Sequence, residues 1–185
     1  EQDMIGTAAG LALAGKIPYA CSFSQFVTGK TLEQLRLAVC YQRLNVKIAG
    51  SHGGLSVGAD GATAEALEEF THMRALPYMT VIVPCDALEA KRATIACADY
   101  PGPVFLRLGR SPVPAITKPS DSYQIGRANV LRLAMAGRLG EAGLGDHGVY
   151  ETLDLCLECR ACKAECPVGV DVARFKSEFL ADYYT

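Results

Sequence analysis

The chain has 185 residues, half of them hydrophobic and 21% charged, which suits one medium domain with a small appendage and excludes wholesale disorder. A formal net charge of −2 leaves no electrostatic footprint for nucleic acid or an anionic membrane. No apolar run reaches the roughly 20 residues of a membrane span, and no signal peptide opens the chain, so a cytoplasmic location is expected.

From Asp3 to Lys16 the residues are small and apolar, as a closely packed helix requires. Ile17 to Phe23 reads as a buried strand, Thr31 to Tyr41 as a helix with Leu32, Leu35 and Val39 on one face, and Val46 to Ala49 as a short strand. That strand runs into a glycine-rich loop from Gly50 to Gly61. The pattern then predicts a helix from Thr63 to about Leu76, a strand from Thr80 to Val83 ended by Pro84, and a helix capped by Asp86 that runs to about Tyr100. Pro101-Gly102-Pro103 leads into a strand from Val104 to Leu108, Ser111 to Lys118 is an extended exit, and Gln124 to Arg132 reads as one more short strand. Strands alternating with helices predict an α/β fold, a parallel sheet with helices on both faces. Ligands of such sheets sit at the carboxyl ends of the strands. The glycine-rich loop and Leu108-Gly109-Arg110 both fall there.

Beyond Arg132 the composition changes, with five glycines between Leu133 and Gly148. Val149 to Leu155 reads as a helical turn, and Asp171 caps a last helix with Val172, Phe175, Phe179 and Leu180 as its apolar stripe. Between them Cys156, Cys159, Cys162 and Cys166 follow the spacing C-x2-C-x2-C-x3-C-P, the ligand run of bacterial ferredoxins. Three thiolates converge at such spacing, while Cys166, just before Pro167, leaves in another direction. A 4Fe–4S cluster is the expectation for this small helical, ferredoxin-like appendage. A zinc site, which usually pairs two C-x2-C halves, and unliganded buried thiols are the rivals. In two-cluster ferredoxins the fourth cysteine ligates the other cluster, so a complete centre here would need a cysteine from elsewhere. The scattered Cys21, Cys40, Cys85 and Cys97 are expected to be inert buried thiols in a reducing compartment.

Gly50-Ser51-His52-Gly53-Gly54, Val57-Gly58-Ala59-Asp60-Gly61-Ala62-Thr63, Ala75-Leu76-Pro77, Val81-Ile82-Val83-Pro84 and Arg107-Leu108-Gly109-Arg110-Ser111-Pro112 carry a resemblance. Through them residues 1–132 resemble the pyrimidine-binding domain of transketolases, in particular the separate C-terminal subunit of split transketolases. The resemblance implies thiamine-diphosphate-dependent two-carbon ketol transfer between sugar phosphates. It implies that Glu1 is a catalytic, cofactor-binding carboxyl that stabilises the imino tautomer of the aminopyrimidine, whose nitrogen removes the thiazolium C2 proton. It further implies that Phe23 and Phe26 pack around the pyrimidine, that His52 and Arg110 bind the sugar phosphate, with His52 catalytic, and that Asp60 binds a hydroxyl. Taken singly these residues have plainer readings: a solvated terminal glutamate, two core phenylalanines, a surface arginine and an Asp-Gly turn.

Ala64, Ala59 and Gly29 depart from the family pattern, standing where a histidine, a glutamate and an aromatic residue are usual. No G-D-G…N-N run for the diphosphate and Mg²⁺ occurs. The implied partner is a diphosphate-binding transketolase subunit or domain in trans, within an oligomer, and the isolated chain is expected to be inactive. Residues 133–185, through Gly137-Arg138-Leu139-Gly140-Glu141 and the cysteine run, are similar instead to the junction of FAD-linked oxidases fused to glycolate-oxidase-type iron–sulfur domains. That likeness implies, as the alternative function, an electron-transfer module of a flavin-linked hydroxyacid oxidoreductase. The chain reads as a join near Arg132–Leu133 between pieces of two unrelated enzymes.

Overall fold

The computed structural model describes residues 1–127. The first helix, α1 (Gln2–Leu13), is built from small residues that let it lie close to its neighbours, with Ile5, Ala8 and Ala9 buried. It stops at Gly15, whose left-handed φ of 78° only glycine adopts freely, while the Lys16 N–H closes back on the Leu11 carbonyl at 3.0 Å. Strand β1 (Tyr19–Phe23) follows Pro18 and is two residues shorter than the pattern predicts, because proline has no N–H for a ladder. Helix α2 (Ser24–Gly29), too short to show a period in the sequence, starts at once. Helix α3 (Leu32–Gln34) opens into a π-helical turn over Leu35–Cys40. The predicted helix is thus in place, but its ladder widens: Tyr41 N–H reaches Arg36 and Leu44 N–H reaches Val39, each at 2.9 Å. The widening allows the consecutive Val39 and Cys40 both to be fully buried.

Strands β2 (Lys47–Ser51), β3 (Thr80–Ile82) and β4 (Val104–Arg107) complete a four-stranded sheet of order β1-β2-β4-β3, parallel throughout. Helices α4 (Glu69–Ala75) and α5 (Ala87–Asp99) supply the later crossovers. Alternation along β4 divides the core. Phe105 joins Ile5, Val27, Leu35, Ile48 and Met73 in one cluster, whereas Val104 and Leu106 join Ile82, Ala93 and Cys97 in another. The sheet therefore carries helices on both faces, as expected, with α5 against the second cluster.

Two buried polar groups fasten the frame. Lys47 is 1% exposed and binds Asn45 Oδ1, the Tyr100 carbonyl and the Gly102 carbonyl at 2.6, 2.6 and 2.8 Å, fixing the amino-terminal end of β2 to the connection before β4. Burial lowers the pKa of its ammonium. Asp86 caps α5 by accepting the Glu89 N–H at 2.8 Å and also takes the N–H groups of Ile116 and Thr117, tying back the chain that leaves β4.

Several expectations need correction. The helix predicted from Thr63 begins only at Glu69; 3₁₀ turns occupy Leu55–Asp60 and Ala62–Ala64, and Ala66 is extended against Gly53 and Gly54. The Gly54 N–H takes the Ala66 carbonyl at 3.0 Å, so this long-range pairing overrides local helix propensity. Of the strand expected over 124–132, residues 124–127 instead hold a turn at Ile125 and Gly126, the latter at φ 86°, and 128–132 lie outside the described residues. Cys40 and Cys97 are buried, and burial pushes the Cys40 thiol up to about 11, but Cys21 is exposed and Cys85 half-buried. Cys21 shares the outer face of edge strand β1 with the exposed Tyr19, which explains the difference. The iron–sulfur expectation for Cys156, Cys159, Cys162 and Cys166, and the helical appendage around it, lie outside the described residues. Among the described residues no helix is long and apolar enough to cross a membrane.

Candidate functional site

The carboxyl ends of β1 and β2 bring the first group of residues together. Helix α2 begins directly after Phe23, so one turn returns Phe26 to it, with the two rings parallel within 2° and their centroids 5.5 Å apart. The β1–β2 register pairs Phe23 with Ser51, which sets His52 one residue past the strand end. There the imidazole stacks on Phe23 at 3.8 Å. Glu1, just ahead of α1, reaches the same place: the Ser22 hydroxyl donates to Oε1 at 3.0 Å, and Lys30 lies 3.3 Å from Oε2. The Ser22 hydroxyl first, and then Lys30, hold the Glu1 carboxyl below the usual carboxylate range. Lys30 also stands 4.4 Å from the centre of the Phe26 ring. A flat, half-buried aromatic shelf thus has an ionised carboxylate fixed at its edge.

A hydroxyl orients His52 from the other side. Ser51 Oγ lies 3.0 Å from His52 Nδ1 and 3.3 Å from the Ser22 carbonyl. With the hydroxyl donating to the carbonyl, Nδ1 donates to Oγ and Nε2 is left as the acceptor facing away from Ser51. Such a nitrogen can accept a hydroxyl hydrogen.

A second group sits at the ends of β2 and β4, neighbours in the sheet. Arg110, three residues past β4, pairs with Asp60 at 2.9 Å, both partly exposed. The two groups share a backbone join: the Leu108 N–H takes the Gly50 carbonyl at 2.7 Å and the Gly53 N–H takes the Leu108 carbonyl at 3.0 Å. The structure thus stacks Phe23 with Phe26 and His52, links Glu1 to Phe26 through Lys30, and joins Asp60 to Arg110 in a separate pair. No ion pair or hydrogen bond bridges the two groups through these six side chains among the described residues.

Sequence reasoning missed Ser22 and Lys30, which hold Glu1, and the buried pair Arg107–Glu69 behind the glycine-rich loop, with Nε 3.2 Å from Oε1. Strand alternation, which places Ser22 on the Ala20 face of β1 where α1 packs, was the available signal for Ser22. The donor set suits a planar heteroaromatic ring with a polar edge: an aromatic face to stack on and a carboxylate to accept hydrogen bonds. Among the described residues no group of three His, Cys, Asp or Glu could hold a metal ion.

Comparison with known proteins accords with this geometry. Residues 1–115 match the transketolase pyrimidine binding domain. A putative transketolase C-terminal section from Methanocaldococcus jannaschii is 43% identical over 133 residues, 71% of this chain and 42% of that protein. One of the subunits of an apulose-4-phosphate transketolase, from Phocaeicola vulgatus, is 39% identical over 132 residues, again 71% of this chain and 42% of that protein. A solved structure of a split-gene transketolase, an inactive β4 tetramer, superposes with a TM-score of 0.64 at 44% identity, covering 71% of this chain and 41% of that one. The chain thus spans about two fifths of the length of the relatives it matches. With the parallel sheet, the shelf at its carboxyl end and the match over residues 1–115, the chain belongs to the transketolase pyrimidine-binding domain family.

Proposed function

We propose that residues 1–132 provide the pyrimidine-binding half of a transketolase-type site that transfers two-carbon ketol units between sugar phosphates. A diphosphate-binding subunit or domain in trans completes the site and holds Mg²⁺. The observation that carries this reading is the Glu1 carboxylate fixed by Ser22 and Lys30 beside the Phe23–Phe26–His52 stack. When bound, thiamine diphosphate supplies the nucleophilic carbon of the reaction. Phe23 and Phe26 would hold the pyrimidine face, and Glu1, kept ionised, would accept a proton or hydrogen bond at the ring's edge. His52, through Nε2, would accept a hydroxyl hydrogen from the sugar. Arg110 would meet the substrate phosphate and Asp60 a substrate hydroxyl, each leaving the other to do so. A cytoplasmic setting suits both these substrates and the free thiols.

The test mixes the purified chain with a diphosphate-binding subunit of a split transketolase and thiamine diphosphate, then follows cofactor binding and ketose-phosphate turnover. Both should require the two proteins, and Glu1→Gln should abolish turnover while leaving the melting curve unchanged. Turnover by the chain alone, or undiminished turnover of the Glu1→Gln protein, overturns the reading.

The second reading concerns Cys156, Cys159, Cys162 and Cys166 and is supported by their spacing: a 4Fe–4S cluster, in the manner of an electron-carrying module. Anaerobic reconstitution should incorporate iron and sulfide. No iron uptake refutes a cluster, and loss of uptake on Cys166→Ser assigns the fourth ligand to this chain.

A further inference from the structure

Arg107 is a charged residue beside the site to which the proposed chemistry gives no task. It ends β4, in register with Gly50 of β2. Its Nε donates to Glu69 Oε1 at 3.2 Å, and its guanidinium carbon stands 5.2 Å from the Phe70 ring. The pair is nearly dry, with side chains 18% and 1% exposed, and the second carboxylate oxygen, Oε2, is buried without a partner. An ion pair so placed is an expensive way to fill space, since an apolar side chain would avoid the desolvation.

What the guanidinium touches explains its presence. It lies directly beneath the turn that follows His52. A Cβ on Gly53 would stand 2.3 Å from Arg107 Nε, and one on Gly54 2.6 Å from an Nη. The same turn is gripped by the bonds from Gly53 N–H to Leu108 and from Gly54 N–H to Ala66. His52 immediately precedes it, with a left-handed φ of 57°. A flexible chain could not serve as this floor. A planar fork anchored by its own carboxylate presents a flat face in one place.

We propose that Arg107, clamped by Glu69, is a positioning residue that sets the His52-Gly53-Gly54 turn and so lays the imidazole against Phe23. This rests on the reading of His52 as the sugar-binding base, whose place must be held closely to be useful. Arg107 does not touch the substrate; it acts through the backbone of the turn.

The experiment reads His52 itself. In the full-length chain, the imidazole proton resonances, assigned with His52→Ala, should be displaced upfield by the Phe23 ring 3.8 Å away. The double variant Arg107→Met with Glu69→Gln removes both charges together, so that neither is left buried alone. It should melt cooperatively yet lose the displacement. Gly53→Ala, which leaves both charges in place but sets a Cβ 2.3 Å from Arg107 Nε so that the turn and the guanidinium must part, should lose it too. Retained displacement in a folded double variant, or in Gly53→Ala, overturns the proposal. A double variant that cannot fold overturns it as well, because the pair is then a determinant of the fold. Separately, His52→Ala in the assembled enzyme should weaken ketose-phosphate use. If it does not, the reading of His52 falls while the resonance result still decides the role of Arg107.

Discussion

Asp86→Asn separates the two tasks of one carboxylate. Oδ1 accepts the Glu89 N–H and caps α5, and Oδ2 accepts the N–H groups of Ile116 and Thr117 at 2.9 and 2.6 Å. Asparagine caps a helix about as well as aspartate, but it turns an NH₂ group toward those two donors. Two hydrogen bonds to an ionised acceptor are lost, each worth about 1.5–3 kcal/mol. Release of the exit segment into water recovers part of this, leaving a net loss of about 2–3 kcal/mol. Asp86→Ala removes the cap as well and should cost about 1 kcal/mol more. Urea denaturation should show midpoints falling in the order wild type, Asn, Ala, with unchanged slope. The acid limb gives a second reading. Burial alone would raise the Asp86 pKa, but the bonds from Glu89, Thr117 and Ile116 outweigh it and the value is lowered. A carboxyl lower in the folded state stabilises fully above its unfolded value of about 3.9 and loses this as pH falls through the folded value. The Asn variant should lack that part of the acid limb. An Asn variant within about 0.5 kcal/mol of wild type would refute the reasoning, since ordinary surface substitutions cost that little.

Gly50→Ala should destabilise by about 1–3 kcal/mol through overpacking, because the new Cβ would lie 2.7 Å from the Phe105 ring and 2.9 Å from Ser24 Oγ; an unchanged denaturation midpoint refutes the close fit. Lys47→Met leaves the Tyr100 and Gly102 carbonyls without their donor and should cost about 2–4 kcal/mol, measured in the same assay, with a neutral result refuting it. Ser22→Ala removes the largest cause holding the Glu1 carboxyl down, so a carbon-13 titration of Glu1 should move up toward the ordinary range, and no movement contradicts the assignment. Brief maleimide labelling followed by peptide mapping should mark Cys21 well before Cys40 and Cys97, whereas equal rates would contradict the burial of the latter two.

The four strands were legible because they are short, largely apolar runs with Pro or Gly in or beside them, as Pro18 before Tyr19 and Thr80 to Pro84 illustrate. Interactions distant in sequence were not. The helix assigned from Thr63 failed because Ala66 pairs with the glycine-rich loop, a contact no window of local sequence contains. In the same way His52, Phe23 and Phe26 could be picked from motifs. Ser22, Lys30, Glu69 and Arg107 act only through strand register and crossover packing, which bring together residues up to 38 apart.

The backbone at His52 places two demands in opposition. A non-glycine residue at a left-handed φ of 57° carries a penalty of about 1–2 kcal/mol that glycine would not. Judged by the backbone angle alone, glycine or asparagine is the better occupant, and the stack on Phe23 at 3.8 Å is what offsets the strain. A screen that selects for heat resistance will therefore be drawn to this position wherever the strain outweighs the stack, at the cost of the imidazole. Directed improvement of robustness in this domain has to exempt that residue, because here stability and chemistry are in direct trade.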